Sequence, residues 1–309
     1  MAVQNAMSDQ EVSAYLRGKS AEEVLTIYTS DGPLGLSDVP ALIAHGAVIP
    51  ERPLLGVYAD RDDYNAVPTI IGSNRDEFKM LAMMNEELVA SKYGVLPKIK
   101  NKPYFEAYTS YLNDFIKANG VDEIATVLSA SQGHSVYVYR FDWDELPTIA
   151  GTDLAEVFGA AHAAEIPFVF GRFDDSFMNN LFFSEENIPG RDALSASMSS
   201  YWVELAYSGA PGKGRSGTEP QWDAWRNEPA DSDKYLIFDD VSDRGIRMST
   251  DAITLSVLHQ RLLKDTRFPD QESHSQMYDC LLKDTPYWDA DEFARLGGSE
   301  CVNSMFNRF

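Results

Sequence analysis

The sequence predicts an α/β fold from three observations. An apolar run at residues 67–72 ends in Gly-Ser-Asn and passes into a helical pattern, as a buried strand does when it turns into a helix. Residues 135–141 and Tyr235–Phe238 are rich in β-branched and aromatic side chains, which predicts two further strands. Helical patterns at residues 103–130 and 192–208 lie between these strands, and alternating strands and helices are typical of α/β domains.

The start of the chain predicts two short helices and then an irregular segment. Ser8-Asp-Gln-Glu11 and Ser20-Ala-Glu-Glu23 both match the capping box, in which a serine and a glutamate satisfy the first backbone N–H groups of a helix. We therefore expect helices within residues 8–30. Residues 31–66 contain four prolines and a charged turn, and we expect them to be irregular.

The middle of the chain predicts two more helical stretches. After the strand at 67–72 we expect a helix near residues 75–85, with Asn74 as its N-cap. The helical pattern at 103–130 carries an aromatic and apolar stripe, which packs in a core or forms the wall of an acyl pocket. The stripe consists of Tyr104, Tyr108, Tyr111, Leu112 and Phe115.

The last third of the chain predicts two helices joined by loops and a strand. Residues 192–208 form an amphipathic pattern that Gly209 stops, and residues 210–220 are expected to be a surface loop. Four apolar residues at helical spacing predict a closing helix over residues 251–264. The tail, residues 268–309, is polar and aromatic and has no clear pattern.

Composition limits the class of protein and its partners. The 309 residues are 44% hydrophobic and 24% charged, which is ordinary for a globular protein, and we treat residues 1–309 as a single domain. The formal net charge of −22 argues against nucleic acid and anionic membrane surfaces as partners, and favours neutral or cationic substrates. No run reaches the length of a membrane span, and the opening residues do not match a signal peptide. A complete chain of this kind is expected to be cytoplasmic.

One stretch, from Gly159 to Gly171, presents a histidine among small residues. His162 is followed by an acid and by Pro167, which is expected to push Ile166 toward an extended conformation. The stretch predicts a histidine held on a loop and presented to a cleft, with residues 168–173 and the residues from Asp174 onwards as a lid or cleft-lining loop. Histidine is the commonest general base because its pKa lies near neutrality. The alternative is a loop histidine that only bonds a neighbouring group.

A carboxylate follows the strand at 67–72. Residues at the carboxyl end of a strand in an α/β sheet line the ligand crevice, so Glu77 is placed to orient a histidine. The alternative is a capping box, because Glu77 stands three residues after Asn74 and can serve the start of a helix instead.

The two stretches together resemble the type-B carboxylesterase and cholinesterase family of α/β-hydrolases. Gly72-Ser-Asn-Arg-Asp-Glu77 is followed, 85 residues later, by His162-Ala-Ala-Glu-Ile-Pro-Phe-Val-Phe-Gly171. The resemblance extends over about residues 8–240, and the further stretches that carry it are Ala14-Tyr-Leu-Arg17 with Ser20-Ala-Glu-Glu-Val-Leu25, His45-Gly-Ala-Val-Ile-Pro50, Val138-Tyr-Arg-Phe-Asp142, Ser199-Ser-Tyr-Trp202 through Ala206-Tyr-Ser-Gly-Ala-Pro211, Trp222-Asp-Ala-Trp225 and Tyr235-Leu-Ile-Phe238.

The resemblance implies the C-terminal part of an α/β-hydrolase fold and a role for two residues. Glu77 and His162 stand where the family has the acid and the base of its catalytic triad, in the order Ser, Glu, His. Two positions depart from the family pattern: Phe78 follows the acid in place of glycine or serine, and Ala163 follows the histidine in place of glycine. The implied substrate is a small-molecule ester, and the implied mechanism needs no metal or organic cofactor.

The nucleophile of that triad is missing from the sequence. No Gly-x-Ser-x-Gly elbow is present, and no His-Gly-Gly-Gly run supplies an oxyanion loop. Gly133-His-Ser-Val-Tyr137 begins like an elbow, but Tyr137 replaces the small residue that the strained turn needs, and Ser135 opens an apolar run. Gly214-Arg-Ser-Gly217 is expected to be a turn. The resemblance therefore implies that the family's early strands and its nucleophile serine lie outside these 309 residues, and the chain alone is expected to be close to inactive.

Cysteine and histidine spacing adds little to this picture. Cys280 and Cys301 both lie in the tail, where they form a disulfide or remain free thiols. The other histidines have no metal-ligand spacing among them, and no zinc or calcium motif is present.

Three hypotheses for function follow. The chain is part of a carboxylesterase whose serine comes from a separately encoded or missing N-terminal half; or it is a non-catalytic relative that uses the hydrolase surface for binding; or it is an unrelated α/β enzyme with a Glu–His pair and a water nucleophile. The retained Glu77 and His162 argue against the second, and the multi-segment resemblance argues against the third.

Overall fold

The computed structural model describes residues 7–28, 44, 46–92, 96–133, 135–174 and 177–301. By its packing the chain divides into two units, Met1–Pro53 and Leu54–Phe309. The single domain over residues 1–309 stays a prediction. His45 and His134 lie outside the described residues, as do residues 302–309 of the tail.

The first unit contains the two predicted helices, α1 (Asp9–Arg17) and α2 (Ala21–Tyr28). Ser8 caps α1 with a complete capping box, because its hydroxyl accepts from the Glu11 N–H and the Glu11 carboxylate accepts from the Ser8 N–H. Ser20 and Glu23 exchange the same two bonds at the start of α2. Both capping predictions are confirmed.

The second unit alternates helices and strands. In chain order its elements are α3 (Leu54–Tyr58), β1 (Thr69–Asn74), α4 (Lys79–Ala82), β2 (Val89–Lys92), β3 (Leu96–Ile99), α5 (Lys102–Ile116), α6 (Glu123–Gln132), β4 (Val136–Phe141), β5 (Thr148–Ile149), β6 (Thr152–Asp153), α7 (Leu154–Phe158), α8 (Ile166–Phe170), α9 (Phe177–Phe182), α10 (Ile188–Ser208), β7 (Tyr235–Phe238), β8 (Arg247–Ser249), α11 (Leu255–Leu262), α12 (Gln271–Leu282) and α13 (Ala290–Leu296).

The main sheet has the strand order β1-β4-β7-β8. β1 runs parallel to β4, and β4 runs parallel to β7, while β8 is antiparallel at the far edge. The pairing of β1 with β4 runs from Thr69 opposite Val136 to Asn74 opposite Phe141. Since these strands are parallel, the segments that follow them leave the sheet at the same end, where the carboxyl ends of the strands lie. The parallel-dominated sheet confirms the α/β class.

Side chains of β4 alternate between two cores, one on each face of the sheet. Tyr137 and Phe141 pack with α8 and α10, whereas Val136 and Val138 pack with α6. This period of two is what a strand covered by helices on both faces requires. The apolar side of the amphipathic pattern predicted for residues 192–208, which is Leu194, Met198, Trp202 and Leu205 of α10, lies in the first of these cores.

The tail packs onto the second unit as far as residue 301. α11, α12 and α13 form a third core with α5, and its buried members include Tyr111, Leu258 and Tyr278. Cys280 and Cys301 form a disulfide with their Cα atoms 4.9 Å apart. The aromatic stripe of α5 therefore packs in a core, where Tyr111 and Leu112 are buried and Tyr108 and Phe115 pack beside them.

Local predictions around β1 and α8 are corrected in two places. Asn74 is the last residue of β1 and not a helix N-cap, and the helix expected at 75–85 is only α4, which starts at Lys79 without a side-chain cap. Ile166 is helical and not extended, because Pro167 occupies the first turn of α8, where its missing N–H costs nothing.

The segment expected as a cleft-lining loop is also different. α8 extends through Phe170, and Phe168 is buried with its ring 5.0 Å from that of Phe141 and 5.1 Å from that of Trp143. The packing of this ring into the core holds the segment as a helix up to Phe170, whereas residues 171–174 are irregular, as expected. The helical pattern at 103–130 is confirmed, with wider π-type turns at Lys117–Asp122 between α5 and α6.

Candidate active site

The chain that leaves β1 pairs with the loop that carries the predicted histidine. This loop follows α7, and Asp76 forms a parallel bridge with Ala161. The Asp76 N–H donates to the Ala160 carbonyl oxygen at 3.0 Å. The histidine loop therefore lies at the carboxyl end of the parallel strands, beside the segment that contains Glu77.

The two residues singled out from the sequence are in direct contact. His162 Nδ1 lies 2.6 Å from Glu77 Oε2, and because a carboxylate only accepts, Nδ1 carries the proton. Glu77 Oε1 accepts the Asn74 N–H at 2.7 Å, so both carboxylate oxygens are held. The Glu77 side chain is 11% exposed, whereas the His162 side chain is 64% exposed. The buried acid thus orients an imidazole that faces outward, with Nε2 left to exchange a proton.

Glu77 also makes one of the two hydrogen bonds of the capping box that was considered as its alternative role. Its bond to the Asn74 N–H is the backward-reaching half of a capping box, but the Asn74 side chain does not complete the box. The Asn74 amide donates instead to the Ala161 carbonyl and to Glu165 Oε2, both at 2.6 Å. Asn74 therefore ties the end of β1 to both sides of His162.

The carboxylates around His162 set its electrostatics. The hydrogen bond that His162 donates to Glu77 raises the pKa of His162, partial burial opposes this more weakly, and the charges of Glu77 and Glu165 add to the increase. Burial raises the pKa of Glu165, although its bond from Asn74 works in the other direction. A histidine with a raised pKa next to a buried acid is a stronger base than a free one.

Comparison with known proteins identifies the family. A sequence model described as the Carboxylesterase family matches residues 85–251, more than half of the chain. The chain belongs to the carboxylesterase family. His162 lies inside the matched region, and Glu77 lies eight residues before it.

Two relatives give the extent of the likeness. The chain is 27% identical over 267 residues to acylcarnitine hydrolase of Mus musculus. The aligned region covers 76% of this chain and 43% of that protein. Its structure resembles that of EstA from Aspergillus niger with a TM-score of 0.51 and 19% identity, over 82% of this chain and 50% of that one. The carboxylesterase chain thus has the α/β-hydrolase fold and spans about half the length of the proteins it matches.

Ser135, which was considered as a nucleophile in the sequence, lies away from the Glu77–His162 pair in this carboxylesterase chain. Ser135 precedes β4 at the amino end of the sheet, where its carbonyl accepts the Thr69 N–H and its hydroxyl accepts from Gln132. The length of β4, six residues, places Ser135 about 20 Å from the carboxyl end of the strands, where His162 lies. Gly214–Gly217 is a turn closed by the Gly217 N–H on the Gly214 carbonyl.

The structure adds two residues that sequence reasoning passed over, Asn74 as a tie to the histidine loop and Asp76 as its backbone partner. Their partners lie more than 80 residues away in sequence, so no local pattern revealed the contacts. The described parts of the chain hold no group of three or more side chains suited to a metal ion. None of the described helices combines the length and hydrophobicity that a bilayer-crossing segment needs.

Ala163 explains one departure from the family pattern. Its φ of 62° lies in the left-handed region, which costs a non-glycine residue about 1–2 kcal/mol. The turn immediately after the histidine therefore favours glycine for a backbone reason. This chain retains the turn with alanine and carries the strain.

We expect Glu77→Gln to lower the pKa of His162 toward its ordinary value, because the hydrogen bond and the charge that stabilise the imidazolium are both weakened. The measurement is an NMR titration of the His162 ring resonances, assigned with His162→Ala. Since the pKa is raised in the folded chain, the protonated form stabilises the fold at low pH, and this contribution is lost as pH rises through the folded value.

The matched control is Glu156→Gln, the same change at a surface carboxylate of α7 that pairs with Lys102. It is expected to leave the His162 titration in place. An unchanged pKa in Glu77→Gln contradicts the electrostatic assignment.

Ala163→Gly is expected to raise the free energy of unfolding by about 0.5–1 kcal/mol, because relief of the left-handed strain exceeds the entropy that glycine adds to the unfolded chain. Urea denaturation followed by circular dichroism measures the change. Ala164→Gly is the control: its φ is ordinary, so it is expected to destabilise. Equal destabilisation by both variants rules out strain at Ala163.

Proposed function

We propose that this chain supplies the acid and the base of a serine-dependent carboxylic-ester hydrolase. The observation that carries the proposal is the 2.6 Å contact between His162 Nδ1 and the buried Glu77, with the imidazole exposed on the side away from it. Family membership supports ester hydrolysis as the reaction class. The order of the two residues, acid before histidine, agrees with the α/β-hydrolase triad.

In the proposed mechanism a serine attacks the ester carbonyl while His162 Nε2 accepts its proton. Glu77 holds the ring in the tautomer with Nδ1 protonated and stabilises the imidazolium that forms. Backbone N–H groups stabilise the oxyanion, and His162 returns the proton to the leaving alcohol. The serine is left as an acyl ester. A water molecule then attacks this ester carbonyl while His162 accepts the water's proton, and His162 returns that proton to the serine oxygen as the acyl bond breaks and the carboxylic acid leaves.

The serine in this proposal comes from polypeptide outside the 309 residues. The sequence contains no Gly-x-Ser-x-Gly elbow, and the chain corresponds to 43% of the length of the mouse relative. Within the described residues β1 is the edge strand of the main sheet, with residues 69–72 only half-buried, so it can accept another strand. Because loss of a triad member costs several orders of magnitude in rate, the chain alone is close to inactive.

The substrates proposed are small carboxylic esters, neutral or cationic. The net charge of −22 disfavours anionic esters on approach to the site. The name of the mouse relative adds acylcarnitines, whose alcohol part carries a quaternary ammonium group, to the esters worth assaying.

The test is hydrolysis of p-nitrophenyl acetate and butyrate by the pure chain, and again after a separately expressed segment with the Gly-x-Ser-x-Gly elbow is added. Activity is expected only on mixing, and His162→Ala and Glu77→Gln are expected to lower kcat at least 100-fold. Glu156→Gln serves as the control that keeps activity.

Two outcomes contradict the proposal. Activity in the chain alone means that it carries its own nucleophile, and Ser135 is then the first residue to mutate. A folded chain that remains inactive on mixing favours the non-catalytic binding protein.

A further inference from the structure

We propose that Asp76 is a positioning residue that holds the His162 loop in register with Glu77. This assignment rests on the proposed function for its catalytic meaning, but its structural content is measured on the chain alone. Asp76 stands immediately before Glu77 in the sequence, and Asp76 itself contacts neither the imidazole nor any reacting atom.

Asp76 binds both backbone groups of Ala160, two residues before the histidine. Its N–H donates to the Ala160 carbonyl at 3.0 Å, and its Oδ2 accepts the Ala160 N–H at 3.0 Å. Asp76 is 6% exposed and Ala160 is fully buried, so water does not compete for these bonds. A buried N–H without an acceptor carries its full desolvation cost, and the carboxylate of Asp76 is the group that satisfies this one.

The carboxylate of Asp76 is itself held from two sides. Oδ2 accepts from Arg75 Nε at 3.0 Å, and Oδ1 pairs with Lys79 Nζ at 3.0 Å. The Arg75 guanidinium also pairs with Asp144, which follows β4. Burial lowers the pKa of Arg75, but the carboxylates of Asp76, Asp144 and Asp142 outweigh it and keep the guanidinium charged. Asp76, Arg75 and Lys79 thus form a clamp, which connects the ends of β1 and β4 to the histidine loop.

Gly159 leaves the space that this clamp occupies. A Cβ on Gly159 would lie 2.2 Å from Asp76 Oδ2, well inside van der Waals contact, and the φ of 55° is also unfavourable for any other residue. The loop thus combines a glycine that admits the carboxylate with an alanine that binds it. Because Asp76 and Glu77 are adjacent, the backbone step that fixes the loop also delivers the acid to His162 Nδ1.

The experiment compares Asp76→Ala with Asp76→Asn by NMR titration of His162 and by its low-field Nδ1–H resonance. Both variants remove the charge, but asparagine keeps an oxygen that can accept the Ala160 N–H. We expect Asp76→Ala to lower the His162 pKa toward its ordinary value and to lose the low-field signal, because the bond to Glu77 lengthens. Asp76→Asn is expected to retain the signal and at least half of the wild-type increase in pKa.

Gly159→Ala provides a second variant that displaces the carboxylate without changing any charge. It is expected to reproduce Asp76→Ala, and it decides the question if Asp76→Ala does not fold. Lys79→Gln removes an ion pair of Asp76 without touching the loop, and is expected to leave the His162 titration unchanged. Circular dichroism of each variant separates a local shift from unfolding.

The outcomes separate this proposal from the proposed function. Equal pKa decreases in Asp76→Ala and Asp76→Asn overturn the clamp in favour of a charge effect, and an unchanged His162 in folded Asp76→Ala or Gly159→Ala overturns it outright. If esterase activity never appears on mixing but the NMR pattern holds, the clamp stands and the function fails. With activity present, Asp76→Ala is expected to lower kcat about 10-fold at unchanged KM, and Asp76→Asn to restore most of it.

Discussion

The parallel pairing of β1 with β4 is the constraint on which the rest of the site depends. The register from Thr69 opposite Val136 to Asn74 opposite Phe141 brings the carboxyl ends of both strands to the same level of the sheet. A slip of one residue would turn every side chain of β1 to the other face, and the alternate burial of β4 in two cores opposes such a slip. With this register in place, Asn74 and Asp76 meet the histidine loop, and Glu77 meets His162.

Sequence reasoning succeeded where the cause of structure is local and failed where it is distant. The strand Tyr235–Phe238 and the capping boxes at Ser8 and Ser20 follow from neighbouring residues, and they appear as predicted. Asn74 was misassigned as a cap because its side-chain partners lie 87 and 91 residues away. The extended conformation expected at Ile166 was wrong because the burial of Phe168 overrides a weak preference before proline.

The pairing of Glu77 with His162 could be inferred from a family pattern, whereas its supports could not. The pattern names the acid and the base but says nothing of what holds them within 2.6 Å. That support comes from buried polar contacts to the backbone of the loop, made by Asn74 and Asp76, and from the small residues Gly159 and Ala160 that admit them. Such a site keeps its geometry only if the strand ends stay fixed, so its precision depends on the sheet.

Acidic charge is concentrated at these strand ends as well as spread over the surface. Glu77 and Glu165 raise the pKa of His162, while Arg75 and Lys79 neutralise Asp76 next to them. In the proposed mechanism, His162 activates the serine of a separate, elbow-bearing segment. A fluorophosphonate probe, which labels activated serines, tests it directly on a mixture of the chain with the elbow-bearing segment. We expect labelling of that segment only when the chain is present, and loss of labelling with His162→Ala. Labelling that is independent of the chain, or unaffected by His162→Ala, would contradict it.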